Sequence, residues 1–416
     1  MNVALLHYSA PPVAGGVEAV IQAQAALFAR VGHSTTVIAG RGAAGALPTG
    51  VEFQLLPEMD SQHPAIVQLS AQLEAGQVPE TFDELTAALE QRLAAALSGC
   101  DAAIVHNVFT KHFNLALTEA LSRLFARRAV PAGLAWCHDF TWTSSNSRHK
   151  VHPGLPWDRL RARQAGLQYV VVSEARRREL AGLFGCPEAE LHAIPNGVDP
   201  PELLGLSEAG WTLIERLELF TSDLVVLLPV RITQAKNIEL ALRVAAALKQ
   251  QGVHLKMVVT GPPDPHDERS LAYFRELQDL RRELGVEAEL RFVFESGPDP
   301  QEGLRIGPAL IGELYRVSDL LFMPSHREGF GMPVLEAGLV GLPVLTTLVP
   351  AAEEIGGDQV TVFALSESPE TVAGRVRDWM AGNAQLILRR RVRQHYTWEA
   401  IFQRALLPLL GVHDGA

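Results

Sequence analysis

The sequence predicts an α/β chain built as two doubly wound domains. Short β-type runs alternate with helical stretches along its whole length, which separates it from helix bundles and β-sandwiches. The alternation begins afresh near residue 224, after a stretch dense in turn residues. At 416 residues and 47% hydrophobic content, the chain has material for two cores, each in a domain of roughly 200 residues.

In the first half, strands are expected at residues 2–7, 35–39, 102–106, 133–137 and 169–173, with helices near 17–30, 82–97, 115–125 and 174–183. In the second, strands are expected at 224–230, 255–260, 289–294, 320–323 and 343–347, with helices near 238–249, 270–284, 311–317 and 333–340. The segment Ile194-Pro195-Asn196-Gly197-Val198-Asp199-Pro200-Pro201 reads as a hinge, which sets the domains at 1–197 and 198–395. Beyond it, Tyr396-Thr397-Trp398 followed by Ile401, Leu406, Leu407 and Leu410 reads as a closing helix capped by Thr397, and residues 396–416 complete the first domain.

A formal charge of −11 argues against a nucleic-acid partner, because phosphate backbones need a basic face. The arginine runs 176–178 and 389–391 read as solvated helix faces and leave a peripheral membrane contact open. Cys100, Cys137 and Cys186 are odd in number and lack a C-x-x-C, as expected of reduced cytosolic thiols. Met1-Asn2-Val3-Ala4-Leu5-Leu6 lacks a basic leader, and the longest apolar runs fall far short of the roughly 20 residues of a membrane helix. The expectation is a soluble, cytoplasmic protein without a transmembrane segment; oligomeric state has no marker in the sequence.

Chemistry concentrates at strand ends. In the run from Ser325 to Ala337, Glu328 and Glu336 stand eight positions apart across a glycine loop that opens into a helix. Gly329 and Gly331 let backbone approach a ligand, Pro333 suits the first helical position, and Gly341 ends the helix. The helix N-terminus favours phosphate, Glu336 is placed to accept from a vicinal diol such as ribose, and Glu328 is left to face a sugar. Phe330 and Met332 complete that loop. Arg231 and Lys236, five apart after the strand at 224–230, can clamp a diphosphate, although solvated charges at a strand end fit equally well. Gly261 ends the next strand where backbone passes near a ligand, and Glu295 and Ser296 follow the one after, where a base contact and an ordinary loop are both open.

In the first half, Gly15 and Gly16 join the first strand to the first helix without forming G-x-G-x-x-G, which disfavours a dinucleotide oxidoreductase. They allow main-chain amides to approach a phosphate or sugar. His138 can orient a sugar hydroxyl or stabilise positive charge near an anomeric carbon, with Asp139 holding its ring, and His106, Asn107 and Lys111 to Asn114 can line an acceptor site; a structural turn and polar residues closing a strand end are the plain alternatives. No H-E-x-x-H, Cys/His cluster or Asp-x-Asp points to a metal, and Gly-x-Ser-x-Gly and the P-loop are absent.

The run E-G-F-G-M-P-V-L-E-A resembles the Glu-x7-Glu signature of the retaining family-4 (glycogen-synthase-like, group 1) glycosyltransferases. R-x4-K-N at Arg231 to Asn237, G-G-V-E at Gly15 to Glu18, the strand-end His138 and I-P-N-G-V-D at the hinge resemble further elements of that family, so the likeness covers nearly the whole chain. Pro262 and Pro263 depart from it, standing where the family often has a second glycine. The resemblance implies a GT-B fold: two facing Rossmann-like domains with a cleft between them and a C-terminal helix crossing back to the first. It implies donor binding mainly by the second domain, through Arg231, Lys236, Gly261, Glu295, Ser296, Glu328 to Met332 and Glu336, with Gly15 and Gly16 contributing. It places His138 beside the donor sugar and the acceptor on the first domain, near His106, Asn107 and Asp139. The implied reaction is retaining transfer of a hexosyl group from a UDP- or GDP-linked sugar to a hydroxyl acceptor, with Glu328, His138, Arg231 and Lys236 as catalytic groups and no metal or cofactor. A nucleotide-sugar epimerase on the same fold and a non-catalytic sugar-binding or interaction protein are the alternatives. The segment from Met59 to Cys100 is expected on the acceptor side and carries no readable motif.

Overall fold

The computed structural model describes residues 1–263, 268–299 and 302–411, so residues 412–416 of the expected closing segment lie outside the described residues. The chain divides into one unit of Met1–Gly197 with Trp398–Ala416 and another of Val198–Thr397.

The first unit carries a seven-stranded parallel sheet, among the described residues, of β1 (Asn2–His7), β2 (Ser34–Ala39), β3 (Val51–Leu55), β4 (Ala102–His106), β5 (Ala132–Cys137), β6 (Leu167–Val171) and β7 (His192–Ala193), in the order β3-β2-β1-β4-β5-β6-β7. Its central strands are unbroken apolar runs because both faces of the sheet are buried. Ala4 and Leu6 of β1 face one core with α2 (Pro64–Glu74), α3 (Thr81–Ala96), α4 (Leu115–Ala126) and α5 (Glu174–Phe184), while Val3 and Leu5 face the other with α1 (Gly16–Arg30). That second core is completed by Ile401, Phe402, Leu406 and Leu407 of the helical turns from Trp398 to Leu409, and by Leu410 just beyond them. Phe402 meets Phe28 edge-on with ring centroids 4.9 Å apart.

Among the described residues, the second unit carries a six-stranded parallel sheet of β8 (Leu224–Leu228), β9 (Leu255–Val259), β10 (Leu290–Phe292), β11 (Leu320–Met323), β12 (Val344–Thr346) and β13 (Thr361–Val362), ordered β10-β9-β8-β11-β12-β13. Short α6 (Pro200–Leu204) opens the unit, capped by Asp199. Leu224, Val226 and Leu228 pack toward α8 (Ile238–Gln250), α9 (Glu268–Glu283) and α12 (Pro369–Gly382). Val225 and Leu227 pack toward α7 (Glu208–Arg216), α10 (Pro308–Val317) and α11 (Met332–Val340). From α13 (Ala384–His395), Arg393 reaches a buried Asp319 at 3.0 Å, and the same carboxylate oxygen accepts from the Val225 amide at 2.8 Å.

Both sheets follow the Rossmann order, reversing direction between β1 and β4 and between β8 and β11, which sets a switch point where ligands bind at the carboxyl ends of the strands. Several boundaries differ from expectation for local reasons. The strand expected to 230 ends at Leu228, because Pro229 has no N–H for the ladder. Ser173 leaves its expected strand to cap α5, accepting from the Arg176 amide. The strand at 289–294 shortens to Leu290–Phe292, and Val293–Glu295 tightens into a 3₁₀ turn. Helix α11 starts at Met332, one residue before Pro333. Among the described residues, no helix is long and apolar enough to cross a membrane.

Candidate functional site

In the second unit Arg231, Lys236, Glu328 and the glycine loop to Glu336 gather beside the switch point, on the segments that leave β8 and β11. The 3₁₀ turn Gln234–Lys236 ends at Asn237, which is left-handed (φ 50°) and donates from Nδ2 to the Pro324 carbonyl at 3.0 Å. The His326 amide donates to the Ala235 carbonyl at 2.9 Å. These two bonds stitch the loops together and bring Lys236 onto Glu328. The ammonium donates to both carboxylate oxygens, at 2.6 and 2.7 Å, and Ser325 Oγ donates to Oε1 at 2.6 Å. Glu328, expected to face a sugar, has its carboxylate held from two sides. Ser325 and Asn237 were missed as contributors; their positions flanking Glu328 and Lys236 are the signal that was present.

Arg231 is exposed and pairs with no described residue. Its placement depends on Gly261, where a Cβ would sit 2.5 Å from the Val230 carbonyl oxygen and 2.6 Å from Arg231 Cα. The glycine at this point thus answers to packing of the β8 loop within the unit.

Gly331 caps α11 with φ 103°, a conformation that disfavours any side chain, and a Cβ there would also press on Val349 at 3.3 Å. Gly329 faces open space. The main-chain N–H groups of Gly329, Phe330, Gly331 and Met332 donate to no described residue, and the Phe330 and Met332 side chains are exposed. A row of free amides at a helix N-terminus is an anion cradle. Farther along α11, Tyr315 donates from its hydroxyl to Glu336 Oε2 at 2.6 Å, which aims the exposed carboxylate and leaves Oε1 available. Burial first, and then the Glu336 carboxylate, push the Tyr315 phenol far above its ordinary value.

The expected base contact fares differently. Glu295 is taken by Arg281 at 2.8 Å and Gln278 at 2.5 Å, and Ser296 Oγ donates to the Phe292 carbonyl at 3.0 Å. Glu295 thus ties its turn to α9, and Ser296 braces the turn itself.

In the first unit, parallel β1, β4 and β5 deliver His7, His106 and His138 side by side. His7 Nδ1 donates to the His106 carbonyl at 3.0 Å, and His106 Nδ1 lies 3.4 Å from His138 Nε2. Burial is the main cause that lowers all three from the usual imidazole value, His138 to about 4 and His106 well below normal. Burial thus disfavours the charged form of all three rings. His106 is fully buried, so it cannot meet an acceptor as expected. Asn107 is left-handed (φ 61°), and its Oδ1 accepts from the His138 amide at 2.8 Å and the Asp139 amide at 3.3 Å. It shapes the loop that carries His138. Asp139 does not hold the His138 ring; its carboxylate pairs with Arg176 at 3.0 Å.

Gly15 caps α1, and a Cβ on it would collide with the Glu18 carboxylate, which accepts from Ser9 Oγ at 2.5 Å. Gly15 and Gly16 themselves are exposed. The unread segment after Met59 builds one wall of a cavity of about 580 Å³ lined by Ser61, Gln62, Ser70, Glu74, His112 and Lys150. Glu74 pairs there with Lys150 at 3.0 Å. Among the described residues, no group of three or more His, Cys, Asp or Glu side chains is arranged to hold a metal ion.

Residues 211–396 match the family model for glycosyl transferases group 1, and residues 14–202 match that for glycosyltransferase family 4. The uncharacterized glycosyltransferase MJ1607 of Methanocaldococcus jannaschii is 26% identical over 246 residues, covering 56% of this chain and 57% of that protein. A D-inositol 3-phosphate glycosyltransferase of Actinosynnema mirum is 31% identical over 231 residues, covering 52% and 51%. This chain thus spans about half the length of these curated relatives. Among solved structures, WaaG, a glycosyltransferase involved in lipopolysaccharide biosynthesis, aligns at 17% identity over 99% of this chain and 100% of that one, with a TM-score of 0.34. Anabaena HepE in complex with UDP aligns at 18% over 99% and 100%, with a TM-score of 0.35. With one family model matched in each unit, beside strand ends that carry the arginine, lysine and glutamates of its motifs, the chain belongs to the group 1 glycosyltransferases.

Proposed function

We propose that this chain is a retaining, metal-independent hexosyltransferase that uses a UDP- or GDP-linked sugar as donor and a hydroxyl compound as acceptor, works in the cytoplasm and needs no cofactor. The observation that carries this reading is the Lys236–Glu328 pair set beside the free amides of Gly329 to Met332. A diphosphate meets fixed positive charge there, and a sugar attached to it meets a carboxylate.

In this reading the C1–O bond to the β-phosphate breaks with its electron pair passing to the phosphate oxygen. Arg231, Lys236 and the α11 amides stabilise that charge, and one such preorganised contact is worth roughly 10²–10³ in rate. The acceptor oxygen forms its bond to C1 on the same face and gives its proton to the departing phosphate oxygen. Glu328 opposes the positive charge that develops on the sugar ring, His138 orients a sugar hydroxyl, and Glu336 accepts from the ribose. The polar cavity bounded by Glu74, His112 and Lys150 supports the first unit as the acceptor side. The name of the D-inositol 3-phosphate glycosyltransferases makes a polyol phosphate one acceptor to try.

The test is a donor screen with UDP-glucose, GDP-mannose and related sugars against polyol, polyol-phosphate and lipid acceptors, in excess EDTA. Nucleotide release and the anomeric configuration of the product are followed by NMR. Retained configuration with chelator-insensitive turnover is expected; inversion, or activity restored only by Mn²⁺ or Mg²⁺, overturns the assignment.

A further inference from the structure

The ring of His138 touches another ring before it touches any ligand. His106 closes β4 opposite Trp136 of β5, one pair before the chain turns out to His138, and the two imidazoles lie with centroids 5.7 Å apart and planes tilted by 27°. His106 Nδ1 faces His138 Nε2 at 3.4 Å. The other nitrogen of His106, Nε2, is buried without a partner. His138 Nδ1 is not among the closed-off atoms, so it is the nitrogen left for a ligand.

With both rings neutral, two protons are shared among four nitrogens, and only two arrangements place a hydrogen between the rings. Either His106 donates from Nδ1, leaving a bare lone pair on its buried Nε2, or His138 donates from Nε2, forcing an N–H onto that same buried Nε2. A buried N–H without an acceptor is the rarer outcome in folded proteins. The neighbouring His7 places no competing demand on the ring, since it donates to the His106 carbonyl. Asn107 fixes the backbone at His138 and Asp139, Asp139 is engaged by Arg176, and the Glu18 carboxylate, which also acts on His138, accepts from Ser9 Oγ, so neither carboxylate bonds the ring.

We propose that His106 is a positioning residue: by donating from Nδ1 to His138 Nε2, it holds His138 as the Nδ1–H tautomer. His138 then presents a hydrogen-bond donor, and not a lone pair, to an oxygen of the bound sugar. This deepens the reading in which His138 orients the donor sugar and rests on it for its catalytic consequence; the tautomer itself does not.

The experiment uses the full chain with ¹⁵N-labelled histidine rings and long-range ¹H–¹⁵N correlation at neutral pH, where protonated and bare ring nitrogens resonate far apart. His138 is assigned by the signals lost in His138→Gln. Wild type is expected to show a protonated Nδ1 and a bare Nε2 on His138. His106→Asn, whose amide nitrogen reaches about the place of Nδ1, keeps that pattern. His106→Leu reverses it to Nε2–H, and His106→Gln, which keeps a polar group but moves it to the place of Nε2, does the same if the leucine variant fails to fold. A His138 protonated on Nε2 in wild type, or unchanged in both His106→Leu and His106→Gln, overturns the proposal. In turnover, kcat is expected to fall about tenfold in the leucine or glutamine variant with KM little changed, as for one hydrogen bond lost from a transition state, and to recover in His106→Asn. The spectra are read on the free protein. They decide the tautomer even where no donor turns over, a result that counts instead against the function proposed above.

Discussion

Lys236 Nζ stands 2.6 and 2.7 Å from the two carboxylate oxygens of Glu328, across loops that leave different strands of one sheet. Neither residue presents a bare charge. Under the function proposed above, Lys236 exchanges a carboxylate for a phosphate when a nucleotide arrives, and Glu328 is freed as it does so. Replacing Glu328 by Ala is therefore expected to leave UDP or GDP affinity equal to wild type or higher while kcat falls about 10²–10³-fold. Lys236→Ala should lower both. Calorimetry with free nucleotide beside single-turnover rates separates the cases, and a large affinity loss in Glu328→Ala would contradict the exchange.

Glu336 depends on Tyr315 for its aim. Glu336→Ala should weaken nucleotide binding by about 1.5–3 kcal/mol, the worth of hydrogen bonds to a charged group. Tyr315→Phe removes only the aiming bond and should cost about 0.5–1.5 kcal/mol. Titration calorimetry of both variants checks the order, and a tyrosine variant that loses more than the glutamate variant would show the aim to matter less than a second role of the phenol.

Asp319 and Arg393 are both buried, and the carboxylate also accepts from the Val225 amide at the start of β8. Asp319→Ala leaves the guanidinium buried without its partner, which costs about 3–5 kcal/mol. The loss should appear as a lower denaturant midpoint. A shift near zero would mean that Arg393 relaxes to solvent.

Burial lowers His138 and His112 to about 4, with Lys150 adding to the effect at His112 and His7 at His138, while Glu18 and Asp139 oppose it at His138 and Glu74 at His112. The unfolded chain binds these protons near pH 6.5, so between about 6.5 and 4 it holds more protons than the folded state and stability falls as pH falls. Above about 6.5 these groups contribute no slope. Each unit of separation is worth about 1.4 kcal/mol. Urea midpoints at successive pH values test this, and a flat profile from pH 7 to 5 would place both rings in solvent.

The candidate residues of the second unit could be grouped from sequence because each group is local. Glu328, Gly331 and Glu336 lie within one loop and helix, and Arg231 and Lys236 within another. What joins them was not legible. That Lys236 meets Glu328 follows from β8 and β11 being neighbours, a pairing that no local pattern encodes. The same holds for His106 and His138, read from sequence as independent polar residues and brought into contact by the β4–β5 register. The central strands announced themselves as unbroken apolar runs, whereas β3, Val-Glu-Phe-Gln-Leu at the sheet edge, mixes charge into its alternation, and β7 and β13 are two residues long. Helix α2 went unread because only Ile66, Leu69 and Leu73 of it are buried, a thin stripe among polar and small residues.

The chain leaves the first unit between Gly197 and Val198 and returns to it between Thr397 and Trp398, and at that return a Cβ on Gly197 would press within 2.7 Å of the Trp398 nitrogen. Synthesis therefore proceeds out of step with the architecture. The second unit is continuous and can close its cores as soon as it has been translated, while the first waits, with Ile21 and Phe28 lacking their covering side chains, until Phe402, Leu406 and Leu407 emerge some two hundred residues later. A nascent chain spends that interval with an apolar face uncovered, and the part of the molecule made first is the part finished last.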